Sequence, residues 1–136
     1  MRLETRARAR ALQAIYAWDL RGEKDLDRVS AQIFDDLLVA PDERRVANVL
    51  LRVLQDNGKS LDQQLAEVTT NWRLERLGVI ERSVLRLAAA ELQRGETPPR
   101  VVLREAIRLA ERYGNPQSSR FVNGVLDALA RRMGRL

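Results

Sequence analysis

Apolar residues recur at three- and four-residue intervals along most of this 136-residue chain, which is the spacing of amphipathic helices. No segment alternates apolar and polar residues in the way that a half-buried strand would. The pattern therefore predicts an all-α protein of about seven helices. Their approximate bounds are residues 4–20, 25–39, 41–57, 60–68, 79–93, 99–113 and 117–132.

Glycine and proline set most of these boundaries. Gly22, Gly58 and Gly95 each follow a periodic segment, as residues that end helices do, whereas Pro41 and Pro99 open the next one. Residues 71–78 have the character of a connector. We therefore predict one domain over residues 1–136, made of an N-terminal bundle (about 1–70) packed against a C-terminal bundle (about 79–136).

Composition removes several classes of function. The chain has no cysteine and no histidine, so thiolate nucleophiles, disulfides, and thiolate or imidazole metal ligands are excluded. We expect no enzyme activity, no cofactor and no metal site. There is also no signal-peptide pattern and no apolar run long enough to span a membrane, so we expect a cytoplasmic protein without membrane contact.

The net charge of +5 is unevenly distributed. Residues 1–22 carry five arginines against two acids, and residues 79–136 carry eleven arginines against six acids, whereas residues 23–57 carry five bases against eight acids. The two basic ends are typical of a protein that binds a polyanion. A preference for arginine codons explains the ratio of 22 Arg to 2 Lys, but not the placement of the arginines.

The first helix carries the clearest candidate site. Four of its polar side chains share a stripe about 80° wide: Arg2, Arg6, Arg10 and Gln13. Arg8 instead aligns with Leu12 and Ile15, so we expect it to project beyond the core at the helix start. Because the dipole at a helix N-terminus disfavours cations, phosphate neutralisation is one reason for this placement, and a solvated charged face is the alternative.

Two further positions are unusual for their helical faces. Phe121 lies about 85° from the centre of the apolar arc of the last helix, beside Arg120 and Gln117, where an aromatic ring can stack on an unpaired base or pack at the edge of the bundle. Glu81 falls inside an apolar arc. A carboxylate there either favours the helix dipole or serves as the polar anchor of a protein interface.

Three segments, taken in order, resemble the NusB family of bacterial transcription antitermination factors. They are RARALQAIYAWD at 8–19, ERSVLRLA at 81–88 followed by EL at 91–92, and FVNGVLD at 121–127 preceded by EAIRLA at 105–110 and YG at 113–114. No single segment is specific by itself. Together, in this order, they extend the resemblance over nearly the whole chain.

The resemblance implies a fold of two packed three-helix bundles and a defined set of partners. In that family the protein pairs with NusE, a small-subunit ribosomal protein, and the pair binds boxA-type single-stranded RNA in the leaders of ribosomal RNA operons. The complex then joins the RNA polymerase elongation complex with the other Nus factors and suppresses termination.

The resemblance also assigns roles to individual positions. It implies RNA contacts at Arg6, Arg8 and Arg10 and at Arg120 and Phe121, next to which we place Arg2 and Gln117. The residues that it implies for contact with NusE are Tyr16, Glu75 and Glu81. The chain departs from the family pattern at Gln117, Arg104 and Ala90.

Other interpretations stay open at this point. A freestanding RNA-positioning module related to the N-terminal domains of ribosomal RNA cytosine methyltransferases would resemble the same family. A helical protein-interaction scaffold with incidental arginines is a second alternative. A homodimer that masks the RNA face is compatible with either view, whereas a compact helix-turn-helix unit for DNA is not evident.

Overall fold

In the computed structural model, which describes residues 2–69 and 76–136, all regular secondary structure is helical. The described residues form six α-helices, which confirms the predicted fold class. They are α1 (Leu3–Arg21), α2 (Leu26–Asp36), α3 (Pro41–Val68), α4 (Val79–Arg94), α5 (Pro99–Tyr113) and α6 (Pro116–Arg132). Among these residues, no helix combines the length and hydropathy of a membrane-spanning segment.

The helix ends follow from local sequence. α1 and α4 end at Gly22 and Gly95, whose φ angles of 65° and 75° lie in the left-handed region that favours glycine. α6 begins with a capping box, in which the Asn115 side chain accepts from the Ser118 backbone N–H and Ser118 Oγ accepts from the Asn115 N–H. These ends lie where the sequence predicted them.

One predicted boundary is absent, because a single helix, α3, replaces the expected pair and runs through Asn57 and Gly58. Leucines on both sides of this point are buried: Leu50, Leu54, Leu61 and Leu65. Their spacings of four and seven residues keep one face of a continuous helix against the core. That packing outweighs the helix penalty of Gly58, which is about 1 kcal/mol.

The core draws on all six helices, with α4 at its centre. α4 packs against α1, α3, α5 and α6. The small residues Ala7, Ala11 and Ala14 of α1 are completely buried, which allows close approach between helices. The described core is one continuous cluster. The division into bundles about residues 1–70 and 79–136 stays a prediction, and residues 71–75 of the connector lie outside the described residues.

α1 and α4 run antiparallel, which decides where the candidate surfaces lie. Arg8, near the start of α1, bonds Glu91 near the end of α4, whereas Asp19 near the end of α1 bonds Arg82 near the start of α4. The start of α6 lies beside the start of α4, because Ser118 Oγ donates to Glu81. The two candidate RNA patches therefore lie toward opposite ends of α4.

Candidate nucleic-acid and partner surfaces

The arginine stripe of α1 lies at the surface and is anchored to α3. Arg2 is exposed. Arg6 Nε donates to Glu43 Oε1 at 2.7 Å, and Arg10 Nε donates to Glu43 Oε2 at 3.3 Å. Arg10 also donates to Gln13 at 3.2 Å. The Arg6 and Arg10 side chains nevertheless stay 42% and 33% exposed. The stripe is thus held in place while its outer side faces solvent.

Glu43 is the residue that holds this stripe, and sequence reasoning did not single it out. It lies in the first turn of α3 and is buried. The hydrogen bond from Arg6 lowers the pKa of the Glu43 carboxyl, and Arg10 acts in the same direction, against the opposing effect of burial. One ionised carboxylate therefore neutralises only part of the charge of three arginines.

The expectation that Arg8 projects beyond the core is wrong. Arg8 is 7% exposed, and its guanidinium donates to both oxygens of Glu91 at 2.8 and 2.6 Å and to Glu105 at 3.3 Å. It shares the face of Leu12 and Ile15, where carboxylates from α4 and α5 meet it. A direct RNA contact by Arg8, which the family resemblance implies, would require the guanidinium to leave both carboxylates.

Two threonines complete this buried cluster. Thr97 Oγ1 donates to Glu91 and Thr5 Oγ1 donates to Glu105, each at 2.8 Å. Burial by itself lowers the pKa of Arg8, but the hydrogen bond from Arg8 to Glu91 and the two negative charges outweigh burial and raise the pKa above its usual value. The cluster thus fixes the start of α1 against α4 and α5 as a permanent ion pair.

The second candidate RNA patch lies at the start of α6. Gln117 and Arg120 are exposed, and Phe121 is half-buried with its ring packed against the core. This is the position at the rim of the apolar face that the helical wheel predicted. The RNA contacts assigned to these three residues stay predictions.

The structure separates the two patches. Arg8 marks the α1 end through Glu91, and Ser118 marks the α6 end through Glu81. These two carboxylates are ten residues apart on α4, which corresponds to about 15 Å at 1.5 Å per residue. A ligand that contacts both patches must therefore be elongated.

Two of the three residues predicted to contact NusE, Tyr16 and Glu81, are among the described residues. Tyr16 is 37% exposed. Glu81 is half-buried and accepts a 2.7 Å hydrogen bond from Ser118, so its position on an apolar arc also serves to join α4 to the capping box of α6. Glu75 lies outside the described residues.

A charged network that sequence reasoning missed lies beside this surface. Arg82 donates two 2.6 Å hydrogen bonds to Asp19, and Arg86 donates to Asp19 at 2.7 Å and to Asp62 at 3.0 Å. Arg86 also lies 5.4 Å from the centroid of the Trp18 ring, within cation–π range. The network joins α1, α3 and α4, and an i, i+4 pair of arginines in ERSVLRLA was its only signal in the sequence.

The hydrogen bond from Arg82 lowers the pKa of the Asp19 carboxyl, with the charges of Arg82 and Arg86 adding to the effect against burial. Asp19 is therefore ionised throughout the neutral range.

Among residues 2–69 and 76–136 there is no group of three or more acidic, histidine or cysteine side chains that could hold a metal ion.

Comparison with known proteins agrees with this architecture. The NusB family model matches residues 5–131. The transcription antitermination protein NusB of Anaeromyxobacter dehalogenans is 42% identical over 129 residues, covering 93% of this chain and 89% of that protein. Among solved structures, NusB of T. maritima superposes with a TM-score of 0.84 at 32% identity, covering 94% of this chain and 90% of that one.

A second solved structure is a complex of the antitermination factors NusB and NusE with double-stranded RNA. A chain of that complex superposes with a TM-score of 0.88 at 28% identity, covering 97% of this chain and 98% of that chain. The family match extends over nearly the whole sequence, and the relatives are covered almost end to end. The chain belongs to the NusB family.

Proposed function

We propose that this chain is an RNA-binding transcription antitermination factor of the cytoplasm that acts by binding and not by catalysis. With the ribosomal protein NusE it binds boxA-type single-stranded RNA in ribosomal RNA operon leaders. Together with the other Nus factors on the RNA polymerase elongation complex, it suppresses termination. The observation that carries the proposal is the exposed arginine stripe of α1, held on Glu43 in a chain of the NusB family.

The α1 stripe supplies phosphate contacts in this proposal. Arginine has five N–H donors in a rigid planar group, and Arg10 directs only part of them to Glu43 and Gln13. Because Glu43 fixes Arg6 and Arg10 before RNA arrives, less side-chain freedom is lost on binding. Arg2, exposed at the end of the stripe, extends the positive surface.

The α6 patch supplies base contacts. A half-buried ring such as Phe121 keeps a fixed orientation, and a base from a single strand can stack on it while Arg120 meets a neighbouring phosphate. The rise of about 15 Å along α4 between Glu91 and Glu81, which mark the two patches, corresponds to roughly four to five nucleotides at a stacked spacing of about 3.4 Å. A stacked single strand of that length fits this separation.

NusE contacts the surface that carries Tyr16 and Glu81 in this proposal, and Glu75 belongs to it by the family resemblance. The exposure of Tyr16 supports the assignment. Asp19 is three residues from Tyr16 and Arg82 directly follows Glu81, so the network of Asp19 with Arg82 and Arg86 keeps α1 and α4 in register there.

Fluorescence anisotropy tests the proposal with labelled boxA RNA and a scrambled control, each with and without the organism's own NusE. We expect tight binding that needs NusE, prefers boxA and weakens with salt. Equal affinity for scrambled RNA in both settings would contradict sequence-selective antitermination. Binding of NusE with no binding of RNA would favour the protein-interaction scaffold instead.

A further inference from the structure

The outer face of α5 carries a row of arginines that the proposed function does not use. The α5 arginine row consists of Arg100, Arg104, Arg108 and Arg112. All four are exposed and follow one another at intervals of four residues, so the row extends about 18 Å along the helix and drifts by about 40° at each step.

The row is largely unneutralised within the part of the chain that the structure describes. Arg108 lies 3.9 Å from Glu105, and it is the one member of the row with a carboxylate within 4.0 Å there. Arg112 lies over the ring of Tyr113 at 5.3 Å. By contrast, Arg8, Arg82 and Arg86 all donate to carboxylates at 2.6–2.8 Å.

This arrangement is unfavourable for the isolated helix. Like charges at i, i+4 repel, and cations near a helix N-terminus oppose the dipole, which affects Arg100 and Arg104. The first turn of α5 contains no acid to offset them. Repulsion of this kind is relieved when a polyanion neutralises the row.

The start of the row borders a groove of about 330 Å³ between α5 and α6. Arg100, Arg104 and Arg131 line it, and Leu103 and Ile107 contribute apolar surface. Arg131 is paired with Asp127 at 3.0 Å, so the cations of α5 dominate this end. A groove with guanidinium groups beside apolar surface suits a nucleic-acid strand, which presents both phosphates and base faces.

The α5 arginine row comes close to both patches of the proposed RNA surface. Glu105, between Arg104 and Arg108 in sequence, accepts from Thr5 on α1, next to Arg6 of the stripe. At the other end, α5 finishes at Tyr113 and α6 begins at Pro116, so Arg112 precedes the α6 patch by a short turn.

We propose that the α5 arginine row binds the phosphate backbone of single-stranded RNA that flanks the boxA element, so that the chain holds a longer stretch of RNA than the α1 and α6 patches contact. The inference rests on the proposed function. Cations repeated at four-residue intervals along an outer helix face match the evenly spaced charges of a phosphodiester chain better than the irregular charges of an acidic protein surface.

The test measures binding of the complex with NusE to a 12-nucleotide boxA RNA and to a 30-nucleotide RNA with single-stranded flanks. The variant is R104Q/R108Q, and the matched control is R28Q/R45Q, which removes the same charge from exposed positions on α2 and α3. We expect R104Q/R108Q to weaken binding of the long RNA about tenfold and to lower the salt slope by about 1.4, at roughly 0.7 per lost phosphate contact. Binding of the short RNA, and the melting temperature, should stay nearly unchanged.

The remaining arms separate the outcomes. R104K/R108K should retain the salt slope, because phosphate neutralisation needs only the charge. Equal weakening by R28Q/R45Q, equal loss on both RNA lengths, or loss of NusE binding alone would each overturn the inference. Wild-type protein that binds neither RNA would instead overturn the proposed function.

Discussion

Two groups of arginines in this molecule have opposite surroundings. The paired arginines, Arg8, Arg82 and Arg86, lie between helices and donate short hydrogen bonds to carboxylates from other helices. The α5 arginine row lies on an outer face, and among the described residues its single carboxylate contact, at 3.9 Å, is to Glu105 of the same helix. The amino-acid composition does not distinguish the two groups, whereas their contacts do.

The difference shows how the same side chain serves stability in one region and recognition in another. A buried guanidinium must keep its carboxylate, because an uncompensated buried charge is very unfavourable. An exposed guanidinium is solvated by water and can exchange that water for phosphate. Substitution should therefore damage folding in the first group and binding in the second.

The largest effect is expected at Arg8. Arg8→Met keeps most of the side-chain volume but leaves Glu91 buried without its cation and Glu105 without its nearer one, so the free energy of unfolding should fall by about 3–5 kcal/mol. Urea denaturation followed by circular dichroism measures this. The exposed counterpart Arg104→Gln should change stability by less than about 0.5 kcal/mol.

A double variant sharpens this result. Arg8→Met/Glu91→Leu removes both charges of the closest pair and should recover part of the stability that Arg8→Met loses. If Arg8→Met were as stable as the wild type, Arg8 would belong with the surface arginines, and its predicted RNA contact would regain support.

The Asp19 network should make stability depend on pH. The pKa of Asp19 is lowered in the folded state, so its contribution is fully present above the unfolded pKa of about 4 and is lost as the pH falls through the folded pKa. Asp19→Asn should therefore destabilise the protein by about 2 kcal/mol at pH 7, and the difference from wild type should shrink below about pH 4.

Denaturation at pH 7, 4 and 3 measures this convergence. Asp36→Asn, at an exposed position near the end of α2, is the control and should follow the wild type at each pH. A constant difference between Asp19→Asn and wild type over the whole range would show that the carboxylate charge is not what stabilises the network.

The fold was predictable from sequence where local pattern decides it. Gly22 and Gly95 ended helices as predicted, because a left-handed residue is a local requirement that glycine meets. Gly58 did not end a helix, since leucines on both sides of it find partners across the core. Which of these glycines is a boundary depends on distant packing that a helical wheel does not contain.

The candidate surfaces were likewise predictable only where the pattern of a single helix decides the position of a residue. The exposure of Arg2 and Arg120 and the rim position of Phe121 follow from the amphipathic pattern of one helix. The burial of Arg8 does not, because its partners Glu91 and Glu105 are 83 and 97 residues away. A buried ion pair can be predicted from sequence only when a cation on the apolar face of one helix is matched with a carboxylate on the apolar face of another.

Substitution of Phe121 tests whether a surface residue contributes to RNA binding without changing the charge of the protein. Phe121→Ala should weaken RNA binding about tenfold, since stacking contributes about 1–3 kcal/mol per base, while the melting temperature falls only slightly because the ring is half-buried. Anisotropy with boxA RNA and thermal denaturation measure the two quantities. A large loss of melting temperature with unchanged affinity would place Phe121 with the core.

Substitution of Glu43 is expected to have the smallest effect, because the two arginines that it holds combine features of both groups. Arg6 and Arg10 are paired like the first group and exposed like the second. Glu43→Gln keeps the shape but removes the negative charge, so affinity for both boxA and scrambled RNA should rise by about two- to threefold and the salt slope should steepen. Selectivity for boxA should fall, since the two guanidinium groups lose the carboxylate that orients them.

Glu67→Gln, which removes one partly exposed charge from the far end of α3, is the control for net charge. If Glu43→Gln instead weakened binding to both RNAs, orientation by the carboxylate would matter more than its charge, and Arg6 and Arg10 would act as rigid donors and not as a diffuse positive surface.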